Sequence, residues 1–406
     1  MITDDCVAMV LAGGRGKRLG ALTRYYAKPA VHFGGCNRII DFTLSNCRQS
    51  GIDTVGILTQ YFSADLHAYI SAVYNNDEGH GRMYMLPPKS EECQYIATAD
   101  AVYQNIGFID RFQPEHVLVL AGDHIYRMDY NGLIAFHKDM DADVTVSAKT
   151  VPWAEAHRYG NLSTYPDGRI NSFEEKPRRS KSNLASMGVY IFKWAVLKRH
   201  LIADNAEAGS RRDFGKDIIP RMLSTGESMY SYEFGGYWRD AGTLDSLWEA
   251  NMDLLANPPG LQIRNDKTNL QDSNPCFKSG KSETEGSIIS ENCTIFGKVR
   301  HSVLGDSVTV CTGAEIVDSV VMPGAYIGEN VKIYKSIVGT RAQIMNNAEI
   351  GMDEGIGAYI DRQICKEDIS LVAPWAVIPE GMRFKKNSQI YPRGSKSSLF
   401  SIAIAQ

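Results

Sequence analysis

The first candidate for chemistry is LAGGRGKRLG at residues 11–20. Gly13, Gly14 and Gly16 let the backbone turn sharply and bring its N–H groups up to a ligand. Arg15, Lys17 and Arg18 add positive charge to the same loop. An apolar run, CVAMVLA at 6–12, feeds it, and a strand entering a Gly-rich basic turn makes a phosphate site. The spacing is neither the GxxxxGK[ST] of a P-loop nor the GxGxxG of a dinucleotide fold. Further on, in AKPA at 27–30, Lys28 could reach the same anion as a point charge. Gly122 and Asp123 follow VLVLA at 117–121. That places Asp123 at the C-terminal end of a central strand, where ligands bind in sheets of this kind. Asp240 lies in YWRDAGT at 237–243. Two such carboxylates suit Mg²⁺, a hard cation that bridges phosphate oxygens, although Asp123 taken alone could cap a turn instead.

These residues need a frame. With 406 residues the chain is past the size at which one core keeps growing, so two domains are expected. Hydrophobic residues at 44% and charged residues at 22% exclude a disordered or fibrous protein. A net charge of −4 gives no basic excess for nucleic acid, and no apolar run approaches a membrane span. The start, MITDDC, carries acids where a secretory signal needs bases, and the eight cysteines form no CxxC pair, so a reduced cytoplasmic protein is expected. Short doubly apolar runs at 6–12, 54–59, 117–121 and 144–147 read as parallel strands buried on both faces. Helix-like stretches at 63–74 and 98–112 lie between them, so a doubly wound α/β sheet follows. Residues 159–173 read as a hairpin about the Pro-Asp-Gly turn at 166–168, and 243–255 as a helix that Thr243 could cap.

Residues 257–285 are polar and rich in Pro, Gly and Ser, and read as a connector after a first domain of 1–256. From 286 to 406 a repeat takes over. Ser287, Ser302, Ser319 and Ser336 each open a Ser-apolar-apolar triplet, at offsets of 15, 17 and 17. Apolar residues followed by Gly recur between them, as at Leu304-Gly and Ile327-Gly. This period predicts a hexapeptide β-helix with three short strands per coil.

Longer strings carry a resemblance: HFGG at 32–35, RIIDFTLSNC at 38–47, AGDHIY at 121–126, EKP at 175–177, SMGVYIF at 186–192, DFGKDIIP at 213–220 and YWRDAGT at 237–243. Together with the glycine loop, they resemble the sugar nucleotidyltransferases and, within them, the bacterial glucose-1-phosphate adenylyltransferases, over the whole chain. The resemblance implies a Rossmann-like nucleotidyltransferase domain, then a C-terminal left-handed parallel β-helix. It implies that ATP and glucose 1-phosphate give ADP-glucose and pyrophosphate, the first committed step of glycogen synthesis. Arg18, Lys28, Asp123 and Asp240 would be catalytic, the two Asp holding Mg²⁺. Gly13, Gly14, Arg15, Gly16, Lys17, Tyr95 and Gly122 would bind ATP. Gly160, Glu175, Lys176, Ser186, Tyr190, Asp213 and Trp238 would bind glucose 1-phosphate, though Trp238 and Phe214 also read as core aromatics. A homotetramer, or a heterotetramer with a paralogous subunit, is implied, with no nucleic-acid or membrane partner.

The chain departs from that pattern in places. QYIATA at 94–99 stands where the family usually has Trp-Tyr-x-Gly-Thr-Ala. If that glycine is needed for a left-handed φ, Ala97 costs about 1 kcal/mol. Tyr25 and Tyr26 replace cations that many members place before AKP, so a sugar-phosphate activator is expected to act weakly. Arg383, Lys385, Lys386, Arg393 and Lys396 read equally as an anion site or a solvated face. A second reading, a catalytically weak subunit that modulates an active paralogue, meets the objection that Arg18, Lys28, Asp123, Lys176 and Asp240 all remain. Replacing Asp123 or Asp240 by Asn is expected to leave the fold intact.

Overall fold

The computed structural model describes residues 5–75, 82–261, 277–278, 283–357, 365 and 367–392. Its contacts divide the chain into two units, Met1–Gly14 with Ile40–Trp238, and Arg15–Ile39 with Arg239–Gln406.

The first unit is built on a nine-stranded sheet. Its strands are β1 (Cys6–Leu11), β2 (Thr54–Leu58), β3 (Arg82–Leu86), β4 (His116–Ala121), β5 (Val144–Thr150), β6 (Gly160–Thr164), β7 (Ile170–Glu175), β8 (Leu184–Lys193) and β9 (Met229–Glu233). β3, β2, β1 and β4 lie side by side and parallel. Val7–Val10 and Val117–Leu120 are all 2% exposed or less, which is why these runs are apolar on both faces. β8 runs against β4 on one edge and against β5 on the other, so the sheet is mixed. The hairpin of β6 and β7 forms as expected, with Gly168 at φ 84° in its turn, and it joins β8 at Leu184 and Ala185. Gly188, at φ 66°, marks the register shift that splits β8 between Ser186 and Tyr190. The helix Ser63–Tyr74 has the expected bounds. The stretch 98–112 forms two short helices, Thr98–Tyr103 and Ile106–Asp110, which part at Asn105.

The second unit is a stack of coils in three parallel six-stranded sheets, the arrangement of a parallel β-helix. Its first strands, Phe277–Lys278 and Glu283–Glu285, fall within the stretch read as a connector. The repeated serines form an internal ladder. Ser302 N donates to Ser287 Oγ at 3.0 Å, Ser319 N to Ser302 Oγ at 3.0 Å and Ser336 N to Ser319 Oγ at 3.1 Å. Ser388 N donates to Ser370 Oγ at 3.4 Å, whereas Ser370 N donates to Lys335 O at 3.2 Å, so the ladder is interrupted between Ser336 and Ser370. Before Ser287, Ser302, Ser319, Ser336 and Ser388 the chain turns through left-handed residues: Gly286, His301, Asp318, Lys335 and Asn387. The repeated glycines are places of close approach, since a Cβ on Gly305 would lie 2.6 Å from Pro323 N of the next coil.

One outer row alternates in charge. Glu283, Lys298, Glu315, Lys332, Glu349 and Arg383 stand in register, coil after coil. Lys298 pairs with Glu283 at 2.9 Å, Lys332 with Glu349 at 3.2 Å, and Arg383 also pairs with Glu349. The helix Leu244–Asp253 belongs to this unit. It starts with a capping box between Thr243 and Ser246, and Trp248 Nε1 donates to Asp318 O at 2.8 Å.

Candidate active site

In the first unit β1 ends at Leu11, and Ala12 N donates to Leu58 O at 2.9 Å. Gly13 follows with a Cβ position only 3.3 Å from Gln60, while a Cβ on Gly14 would meet nothing within 4 Å. Gly122 is packed hard. Its N donates to Leu11 O at 3.0 Å, and a Cβ there would lie 2.9 Å from Val10. Asp123 comes next, with its side chain 29% exposed and Oδ1 3.7 Å from His124 Nε2.

The sugar-side residues of this unit come together around Glu175. A Cβ on Gly160 would lie 2.7 Å from Glu175 Oε2, and one on Gly215 would lie 2.6 Å from the same oxygen. Two absent side chains therefore make room for one carboxylate. Lys176 Nζ stands 2.9 Å from Glu175 Oε1 and is 60% exposed, and its residue is held at φ 46°. Ser186 Oγ donates to Tyr190 Oη at 3.1 Å, and the Tyr190 ring stacks on Phe214 at 6.0 Å. Burial pushes the Tyr190 phenol well above its usual value, and the negative charges of Glu175 and Asp213 add to this. Trp238 is buried against His124 and Tyr159, with ring centroids 5.5 and 5.1 Å away.

Two residues assigned to ligands are engaged within the protein. Asp213 caps the turn Phe214–Ile218: its Oδ1 accepts from Gly215 N and Lys216 N, both at 3.1 Å, and its Oδ2 accepts from Thr98 Oγ1 at 3.0 Å. Tyr95 Oη donates to Leu86 O and accepts from Asn105 Nδ2, both at 2.9 Å; burial raises this phenol too. Thr98 and Gly215 were not among the residues expected here. DFG at 213–215 was the available signal, since an Asp two residues before a Gly suits a tight cap. At Ala97 φ is −156°, ordinary extended backbone, so no left-handed cost arises there.

In the second unit Gly16 sits at φ 64°, and a Cβ there would lie 2.8 Å from the Lys28 Cβ. Thr23 Oγ1 donates to Gly16 O at 2.8 Å, which closes the turn. Arg15, Lys17 and Arg18 are exposed. Lys28 is buried, and its Nζ meets Asp240 Oδ1 at 2.7 Å, with side-chain exposures of 6% and 13%. Gly242 explains the glycine of YWRDAGT: a Cβ there would lie 2.8 Å from an Arg18 nitrogen and 2.9 Å from Asp240 Oδ1. Tyr25 and Tyr26 pack on Trp375 at 5.5 and 5.2 Å, and the Arg24 guanidinium lies 5.5 Å from the Tyr391 ring. Of the C-terminal cations, Arg383 pairs with Glu349 and Lys386 with Asp353 at 3.1 Å. Arg393 and Lys396 lie outside the described residues.

Among the described residues no three His, Cys, Asp or Glu side chains gather as a metal cage. Mg²⁺ does not ask for one, since it takes one or two carboxylates and fills its octahedron with water and phosphate oxygens. Asp123 and Asp240, both only partly exposed, are hard oxygen donors of that kind.

A family profile described as nucleotidyl transferase matches residues 7–257, more than half of the chain, and one described as GlmU-like, C-terminal hexapeptide matches 276–368. A glucose-1-phosphate adenylyltransferase of Acetivibrio thermocellus is 46% identical over 401 residues, 97% of this chain and 94% of that one. The chain belongs to the glucose-1-phosphate adenylyltransferase family. The relative from Bacillus cytotoxicus is 52% identical over 83% of this chain and 92% of its own. That from Desulforamulus reducens is 45% identical over 96% of this chain and 99% of its own. The family's hexapeptide half accounts for the β-helix. These likenesses give no support to the reading of a weak regulatory subunit. Nucleotidyltransferases of this kind generally use a divalent metal. Among the described residues no helix is long and apolar enough to cross a membrane.

Proposed function

We propose that the chain transfers the adenylyl group of ATP to glucose 1-phosphate, giving ADP-glucose and pyrophosphate for glycogen synthesis in the cytoplasm. The observation that carries the sugar side is Glu175, seated over Gly160 and Gly215 with Lys176 beside it. An anionic acceptor for sugar hydroxyls and a cation for a sugar phosphate thus stand 2.9 Å apart.

The reaction needs no covalent intermediate, so positioning and charge neutralisation carry it. Gly13, Gly14 and Gly16 offer backbone N–H groups to the nucleotide phosphates, with Arg15 and Lys17 as counter-charges and Gly122 as a close-packed neighbour of that strand end. Arg18 and Lys28 offset the charge that grows on the leaving pyrophosphate. Ser186 and Tyr190 supply hydroxyls to the sugar pocket, and Trp238 an apolar wall. Asp213 and Tyr95 act through the turns that they hold. Mg²⁺, when bound, would supply positive charge that offsets the negative charge of the nucleotide phosphates. Asp123 and Asp240 are the carboxylates assigned to it. The active form is a homotetramer, or a heterotetramer with a paralogous subunit, assembled through the β-helix.

The test is pyrophosphate and ADP-glucose formation from ATP and glucose 1-phosphate by this chain alone, with Mg²⁺. Turnover of both substrates in equal amounts is expected. A folded protein that forms no ADP-glucose overturns the reading. Light scattering on a chain ending near residue 285 tests the assembly, since an unchanged oligomer removes the β-helix from that role.

A further inference from the structure

The helix Ile39–Gln49 and the residue after it bury four polar residues, Asp41, Thr43, Asn46 and Ser50, and the last three act together. Thr43, Asn46 and Ser50 are 0%, 1% and 3% exposed, and their spacing of three and four places them on one face. All three bond to one segment, residues 121–130. Thr43 Oγ1 donates to Ala121 O at 2.9 Å. Asn46 Nδ2 donates to Tyr126 O at 3.3 Å, and its Oδ1 accepts from Met128 N at 3.2 Å. Ser50 Oγ accepts from Tyr130 N at 2.8 Å. Beneath this row the hydroxyls of Tyr126 and Tyr130 are 2.6 Å apart and wholly buried. On the other flank Gly122 N donates to Leu11 O, and His124 Nδ1 lies 2.9 Å from Met187 O.

Asp123 is the residue between these clamps. A segment leaving a sheet must satisfy its backbone groups elsewhere, and buried side chains that do so fix it in one conformation. We propose that Thr43, Asn46 and Ser50 are positioning residues: a polar rail that locks the backbone on both sides of Asp123 and so pre-sets its carboxylate for the divalent cation. This rests on the assignment of Asp123 to that cation.

Thr43→Val keeps the shape and removes the donor, whereas Thr43→Ser keeps the donor. Leu44→Val thins the same helix without altering a hydrogen bond. Two quantities are read besides turnover: amide hydrogen exchange over 121–126 in metal-free protein, and Mn²⁺ binding with ATP by electron paramagnetic resonance. Thr43→Val is expected to speed exchange, to raise the Mn²⁺ half-saturation and lower kcat about tenfold each, and to leave the KM for glucose 1-phosphate unchanged. Thr43→Ser should stay near the parent, and Leu44→Val should lose melting temperature with normal Mn²⁺ binding. If Thr43→Val does not fold, Ser50→Ala is read in the same way, with an expected change of about threefold. A Thr43→Val, or in its place Ser50→Ala, that behaves like Leu44→Val overturns the rail. Asp123→Asn is run beside them. If it binds Mn²⁺ normally, the cation assignment falls and the rail's purpose with it. If it is shifted while the rail variants are normal, the rail alone falls.

Discussion

Asp240→Asn is expected to damage the fold as well as the reaction. The sequence suggested that losing a metal carboxylate would leave the fold intact. The structure reverses this for Asp240, because the carboxylate is the counter-ion of a buried lysine. Lys28 Nζ is 2.7 Å from Asp240 Oδ1, and the two side chains are 6% and 13% exposed. Removing one member of a buried pair strands the other and costs about 3–5 kcal/mol. For a unit of about 200 residues each kcal/mol shifts Tm by about 2–4 °C, so a fall of about 6–20 °C is expected. Lys28→Met should fall similarly. The double variant Lys28→Met/Asp240→Asn removes both charges and should recover much of the loss, since partners in one pair are not additive. Thermal unfolding without nucleotide reads these shifts. In parallel, kcat at saturating Mg²⁺ should drop about 10²–10⁴-fold in Asp240→Asn, as for the loss of one preorganised electrostatic element. An Asp240→Asn that melts within a degree of the parent, or a double variant that melts at the sum of the singles, would refute the reasoning.

Three further outcomes are expected. Gly215→Ala puts a Cβ 2.6 Å from Glu175 Oε2, so the carboxylate must move; the KM for glucose 1-phosphate should rise about tenfold with that for ATP unchanged, and steady-state kinetics decide. Lys176→Ala removes a charge-assisted contact to the sugar phosphate and should raise the same KM about 10–100-fold, whereas an equal rise for ATP would contradict the assignment. Burial holds the His137 imidazole down to about 3, so the unfolded chain takes up a proton that the folded one refuses. Stability should therefore be full above pH 6.5 and fall by about 1.4 kcal/mol per pH unit as pH drops toward 3, and urea unfolding at pH 7.5 and 5 should show a slope that His137→Asn flattens.

Much of the frame could be read from residue order. The runs at 6–12 and 117–121 are apolar at every position because both faces are covered, and Ser63–Tyr74 shows its helical period plainly. Strand direction could not be read, because whether β8 lies along or against β4 depends on partners far away in sequence. The break at Asn105 was also hidden: its side chain turns to Ala101 O and Tyr95 Oη, contacts that propensity does not encode. At the site, the glycine loop was legible because Gly16 takes a left-handed φ with no room for a Cβ beside Lys28. Glu175 and Lys176 were reached by resemblance, and Asp213 was found without its role as a cap. Thr43, Asn46 and Ser50 had a signal, polar groups three and four apart on one helix face, but their target emerges only when 121–130 folds over them.

The row Glu283, Lys298, Glu315, Lys332, Glu349, Arg383 gives the stack a parity. The coils are alike in shape, and their apolar interiors differ little from rung to rung, so hydrophobic burial alone would tolerate a strand laid down one coil out of place. In that slipped arrangement glutamate would face glutamate and lysine would face lysine. Each exposed pair is worth little in the native stack, yet several like-charge contacts at once penalise the shifted one. A nascent chain winding its coils in order thus carries an error check on its surface, and so does a coil borrowed from a neighbouring molecule. High salt should blunt that check well before it loosens the native stack.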